Sequence, residues 1–101
     1  MVDVEQIGDN SWRLCGALTF DTVTDLVDAM PEHELGAQLK FELSGLTKVD
    51  SAGVALMIEW TRTAKLDKCQ VQWCNPPKAL ARLIQVMGVG ALLSVDQKTS
   101  Y

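Results

Sequence analysis

At 101 residues the chain makes one domain, long enough to bury about two thirds of its unfolded surface and too short to divide. Nine Lys and Arg against thirteen Asp and Glu give a net charge of −4, which argues against electrostatic recruitment by nucleic acid or an anionic membrane. With 48% hydrophobic residues, no apolar run of about eighteen positions and no basic leader, it reads as a cytosolic, soluble protein.

Val2 to Ile7 alternates, with Val2 and Val4 on one face and Asp3, Glu5 and Ile7 on the other, which predicts a strand. Gly8-Asp9-Asn10 supplies a turn, and Trp12 to Leu18, with Trp12 and Leu14 opposite Arg13, completes an N-terminal hairpin. Thr19, Asp21 and Thr22 are good helix caps. Val23, Leu26, Val27 and Met30 recur at i, i+3, i+4 and i+7, predicting a helix from about Thr22 to Met30 that Pro31 closes. Asp21, Asp25 and Asp28 fall on its outer side, as carboxylates of a solvent face. His33, between Glu32 and Glu34 in a turn-like segment, reads as a solvated histidine rather than a base. Leu39, Phe41 and Leu43 alternate with Lys40, Glu42 and Ser44 as a third strand.

That strand feeds a turn of small and polar residues and then a helix, within the stretch Leu43 to Lys65. Asp50 or Ser51 caps the helix. From Val54 to Ile58 it is apolar on every side, with no polar face until Glu59, whereas a surface helix shows one apolar stripe. Burial of Val54, Met57 and Ile58 on the sheet, with the turn Asp50 to Gly53 open at the surface, accounts for most of this; Leu56 and Trp60 fall between the two zones. Leu66-Asp67-Lys68 is a short exit, and Cys69 to Cys74 predicts a fourth strand. Asn75-Pro76-Pro77 breaks it and starts a helix with a stripe of Leu80, Leu83, Ile84 and Met87, capped by Gly88. Leu92, Leu93 and Val95 suit a short edge strand, and Asp96 to Tyr101 is a polar tail expected to fray, leaving a domain of residues 1–95. Strand and helix alternation after the hairpin implies an α/β fold with a mixed, mostly parallel sheet and helices mainly on one face.

The chemistry such a chain can carry is limited. Gly45 and Gly53 flank a strand-to-helix turn, which raises a phosphate cradle, but neither Gly-x-x-x-x-Gly-Lys-Ser/Thr nor Gly-x-Gly-x-x-Gly occurs. A serine nucleophile needs a base; the sole histidine, His33, stands eighteen positions from Ser51, and the Gly-x-Ser-x-Gly elbow is absent. Cys15, Cys69 and Cys74 are odd in number, match no zinc spacing, and read as free thiols, with Cys69 and Cys74 on opposite faces of their strand. The residues therefore suggest no catalytic group, cofactor or metal.

The run from Leu43 to Leu56, with its Asp50-Ser51-Ala52-Gly53 turn between a strand and an apolar helix, resembles the signature of STAS domains, shared by anti-sigma-factor antagonists and the cytosolic tails of sulfate transporters. Gly16 to Asp21 (Gly-Ala-Leu-Thr-Phe-Asp) matches the family's loop before its first helix, and the resemblance spans nearly the whole chain. It implies a small STAS-like domain. Some members carry a phosphorylatable serine second after the aspartate; here that position is Ala52, which speaks for constitutive docking over a phosphorylation switch, with Ser51 the neighbouring hydroxyl. A single domain without that acceptor looks most like the cytoplasmic subunit of Mla-type phospholipid-transport ABC systems of Gram-negative bacteria. By that resemblance it binds the ATPase subunit, and through it the permease and substrate-binding subunits, and lies peripheral to the inner membrane without touching lipid or nucleic acid. The implied docking surface is Thr19, Phe20, Asp21 and Thr22 beside Val49, Asp50, Ser51, Ala52, Gly53 and Val54. An anti-sigma-factor antagonist, phosphorylated at Ser51, is the alternative; a nucleotide-binding or hydrolytic domain is the alternative from another class.

Overall fold

The computed structural model describes residues 1–96. The hairpin forms as β1 (Val2–Gly8) and β2 (Ser11–Leu18), followed by a single helical turn α1 (Phe20–Val23), then β3 (Gln38–Val49), α2 (Ser51–Leu66), β4 (Gln70–Cys74), α3 (Lys78–Met87), a 3-10 turn at Gly90–Leu92 and a two-residue β5 (Val95–Asp96). The sheet order is β1-β2-β3-β4-β5, with β1 antiparallel to β2 and every other pair parallel. Three successive crossovers step the same way across the sheet, and crossovers of one hand place their connections on one face. The burial pattern agrees. Trp12, Leu14, Leu39, Phe41, Leu43, Val71 and Trp73 are buried under the helices, while Arg13, Lys40, Glu42, Ser44, Gln70 and Gln72 between them lie on the open, polar face. The α/β architecture expected from the sequence, a mixed and mostly parallel sheet with its helices on one face, is present.

Four aromatics fill the centre. Phe41, on the middle strand, stacks on Trp12 and Trp73 at ring-centroid distances of 5.2 and 4.7 Å and meets Trp60 of α2 at 5.3 Å in a tilted contact. The indole N–H groups of the two innermost tryptophans are satisfied: Trp60 donates to the Leu26 carbonyl (3.1 Å) and Trp73 to Thr61 Oγ1 (3.0 Å). α2 lies between α1 and α3 in the helical layer. This explains its all-round apolar start, since Val54, Leu56, Met57 and Trp60 are all buried and only Ala55 of the first two turns after Gly53 is exposed.

Several expectations need correction. The helix expected from Thr22 to Met30 starts at Phe20, is one turn long, and continues to Ala29 through i→i+3 hydrogen bonds such as Asp25 N–H to the Thr22 carbonyl and Leu26 N–H to the Val23 carbonyl. The weak helix propensity of Thr and Asp works against a longer helix, and the Leu26 carbonyl accepts from both the Ala29 N–H (3.0 Å) and the Trp60 indole (3.1 Å). Val23 and Leu26 still reach the core, but Val27 is exposed. β3 runs on to Val49 because two extra residues bulge on it opposite Arg13–Cys15 and Gly16–Ala17, re-phasing the alternation so that Leu46 returns to the core. Leu92 and Leu93 fall in and after the 3-10 turn rather than in the edge strand. Of the polar tail expected to fray, only Asp96 is described, in β5; residues 97–101 lie outside the described residues. His33 is not solvated. Its side chain is 9% exposed, with Nε2 2.7 Å from Asp67 Oδ2 and Nδ1 2.9 Å from the Pro31 carbonyl, so it clamps the segment before β3 to the end of α2.

Candidate functional site

β2 and β3 are parallel neighbours that end together, with Leu18 paired to Val49, so the two strand-to-helix turns that follow them emerge side by side. Carboxyl ends of parallel strands are where open α/β sheets place their binding sites. One turn carries Thr19 to Thr22 and the other Asp50 to Val54, as the sequence predicts.

Asp50 joins them. In extended conformation (φ −144°, ψ −174°) it is the N-cap of α2, its Oδ1 accepting from the backbone N–H groups of Ala52 (2.9 Å) and Gly53 (3.3 Å). Its Oδ2 accepts from the Phe20 N–H at 3.0 Å, and its own N–H donates to the Leu18 carbonyl at 3.3 Å. A carboxylate suits this position because both oxygens must accept; a carboxamide offers one. The cap is therefore Asp50 and not Ser51, and Ser51 is the exposed first residue of α2, its hydroxyl making no hydrogen bond among the described residues. Sequence reasoning recognises Asp50 as a cap but not as a brace, because no local pattern announces a bond across thirty positions. The other turn is self-supporting: Thr22 Oγ1 accepts from the Thr19 N–H (3.0 Å) and donates to the Ala17 carbonyl (2.8 Å).

The ten predicted site residues thus come together but divide in role. Phe20, Asp21 and Ser51 are exposed, and Val49, Asp50 and Ala52 are half-buried. Thr19, Thr22, Gly53 and Val54 are buried and support the others, so Gly53 does not stay open at the surface as expected. A side chain at Gly53 has no room, since its Cβ would stand 2.6 Å from the Leu18 carbonyl oxygen. Replacing Asp50 with Ala removes the cap and the brace together, and we expect a loss of about 1–2 kcal/mol by urea unfolding. Asp50→Asn, which keeps one acceptor for the helix, should lose less than half of that.

The arrangement offers little to a reaction. His33 contacts Asp67, the residue that ends α2, whereas Ser51 begins that helix of 16 residues, some 24 Å away along its axis at about 1.5 Å per residue, so the two cannot form a nucleophile and base. Gly45 lies in a bulged strand against Cys15 and Gly53 lies against Leu18, so neither opens a loop around a phosphate. Two N–H groups of the α2 N-terminus that would face an anion are held by the Asp50 carboxylate. Among the described residues no group of three or more His, Cys, Asp or Glu is placed to hold a metal, and Cys15, Cys69 and Cys74 are free thiols. No described helix is long and apolar enough to cross a membrane.

A one-faced α/β sheet with a pair of cross-braced turns at the carboxyl ends of β2 and β3 defines a small α/β domain. The chain belongs to the STAS family: the family model described as "Mlab, STAS domain" matches residues 8–94. Among solved structures it is similar to the anti-sigma factor antagonist SpoIIAA in its unphosphorylated form, with a TM-score of 0.71 and 15% identity over 99% of this chain and 90% of that one. It is also similar to part of the structure described as Mglu, with a TM-score of 0.57 and 23% identity over 75% of this chain but 20% of that chain. At these identities the two structures bear on the fold alone. A comparison with curated proteins found no match.

Proposed function

We propose that this chain is a non-catalytic, cytoplasmic interaction subunit that binds the ATPase of a phospholipid-transport ABC complex and stabilises or regulates it, in the service of outer-membrane lipid asymmetry. The permease and substrate-binding subunits are reached through that ATPase, and the chain itself touches neither lipid nor nucleic acid. The observation that carries this reading is the braced pair of turns, which presents Phe20, Asp21, Ser51 and Ala52 on a rigid support with no reacting group beside them. The family description, which names Mlab, agrees with it.

Ala52 supplies the test. It is half-buried at the second helical position, where an added Glu is favourable to the helix dipole and so compatible with the fold. Its bulk and charge would nonetheless stand where the partner must approach. Ala52→Glu is expected to keep the wild-type unfolding midpoint and to lose co-purification with the ATPase subunit. Recovery of the complex at wild-type yield would move the docking surface elsewhere.

A second reading, a phospho-switched anti-sigma-factor antagonist, draws on one observation: the Ser51 hydroxyl is exposed and free of the cap. A phosphate there adds nearly two negative charges next to the Asp50 carboxylate and would repel an acidic or closely packed partner. Intact mass after incubation with the cognate kinase decides it, an unchanged mass removing the reading. Nucleotide binding, the reading from another class, predicts thermal stabilisation at millimolar nucleotide, against which the carboxylate already seated at the helix N-terminus argues.

A further inference from the structure

We infer that Phe20 is the anchor of the docking surface, and that the partner protein receives it in an apolar pocket rimmed by Arg or Lys. This rests on the interaction reading above and adds the chemistry of the partner's face. Isolated exposed apolar residues are common on protein surfaces. Leu35, Leu66, Val86 and Leu92 are all largely exposed, as Phe20 is at 72%. What distinguishes Phe20 is its setting. Its backbone N–H is held by Asp50 Oδ2, and the preceding Thr19 N–H by Thr22 Oγ1, so the ring projects from a turn fixed on both sides. An aromatic side chain on a fixed backbone has little freedom left to lose on binding. Beside it α2 shows Ser51 and Ala55 to solvent, one turn apart and both small, so a partner can lie close over the ring.

Charge selects the occupant. Asp21, Asp25 and Asp28 are exposed on the segment that begins with Phe20, and none of them has an ion pair among the described residues. The exposed Lys48, at the adjoining end of β3, is a single opposing charge. An acidic rim repels an anionic lipid surface, and it repels a second copy of itself across a two-fold axis. It attracts a cationic rim on another protein, which raises the association rate and makes it sensitive to salt.

The test is titration of purified ATPase subunit into the wild-type chain and its variants, at low and moderate salt, with the unfolding midpoint of each variant as a control. Phe20→Ala is expected to weaken binding about 30-fold with an unchanged midpoint, and Phe20→Trp to restore most of it. The double change Asp21→Lys, Asp25→Lys is expected to slow association at low salt and flatten the salt dependence. Binding by Phe20→Ala within twofold of wild type, alongside loss of binding by Ala52→Glu, overturns the anchor and leaves the ATPase reading standing. Unchanged or tighter binding by the charge-reversed chain overturns the cationic rim. A wild-type chain that does not bind the ATPase overturns both readings, and concentration-dependent dimerisation abolished by Phe20→Ala overturns the cationic partner pocket alone, by making a second copy the occupant.

Discussion

Phe41→Ala is expected to destabilise the domain by about 3–5 kcal/mol, the range for truncating a fully buried large aromatic. Phe41 is completely buried on the central strand and touches three tryptophan rings, so its loss opens a cavity walled by flat, rigid groups that cannot close over it by rotation. Each aromatic pair adds about 0.5–1.5 kcal/mol beyond the area buried, which places the expectation at the upper end. A domain of this size holds about 5–15 kcal/mol in all, so this one residue carries from about a fifth of the margin to the whole of it. Urea unfolding followed by far-UV circular dichroism measures the change without relying on tryptophan emission, which the substitution itself alters. Phe41→Leu, which refills part of the space, should recover at least a third of the loss. A cost below about 1 kcal/mol for Phe41→Ala would mean that the three indoles repack around the gap and do not depend on the central ring.

The aromatic centre shows which features can be read from a sequence. Alternation through Leu39, Phe41 and Leu43, and through Val71 and Trp73, identifies the buried face of each strand because period two is a local property of the backbone. The same rule stops working after Leu43, where the two bulges of β3 insert residues that only the pairing with β2 reveals. The all-round apolar start of α2 was ambiguous for a similar reason. Leu56 and Trp60 are buried because α2 has neighbours on both flanks as well as the sheet beneath, a fact of packing order and not of periodicity. At the site, the cap, the small residues and the adjacency of the two turns were legible from spacing and family resemblance. The bond from Asp50 to Phe20, the His33–Asp67 clamp and the exposure of Phe20 were not, since each depends on segments distant in the chain meeting in space.

Gly53 tests how closely fold and site are tied, because two opposing effects act on one methyl group. In an exposed helix, Gly→Ala stabilises by about 1 kcal/mol through the conformational freedom it removes from the unfolded chain. Here the new Cβ would stand 2.6 Å from the Leu18 carbonyl oxygen and 3.0 Å from Leu18 Cγ, and the nearer atom is backbone that cannot rotate away. Overpacking of this kind costs about 1–3 kcal/mol, so the clash outweighs the propensity gain and Gly53→Ala is expected to be net destabilising by about 1–2 kcal/mol. Gly53→Val, with a branched Cβ against the same carbonyl, is expected to cost about 3 kcal/mol or more, and a Gly53→Ala chain more stable than wild type would show that α2 is not seated against β2 at this distance. The functional consequence follows from the same contact. Relief of the clash requires the first turn of α2 to move off Leu18, and Asp50, which is bonded to Leu18, to that turn and to Phe20, must move with it or break one of those bonds. Gly53→Ala should therefore weaken partner binding more than its stability loss alone accounts for, although the residue is buried. Binding titrations at a temperature where the variant is fully folded separate the two effects.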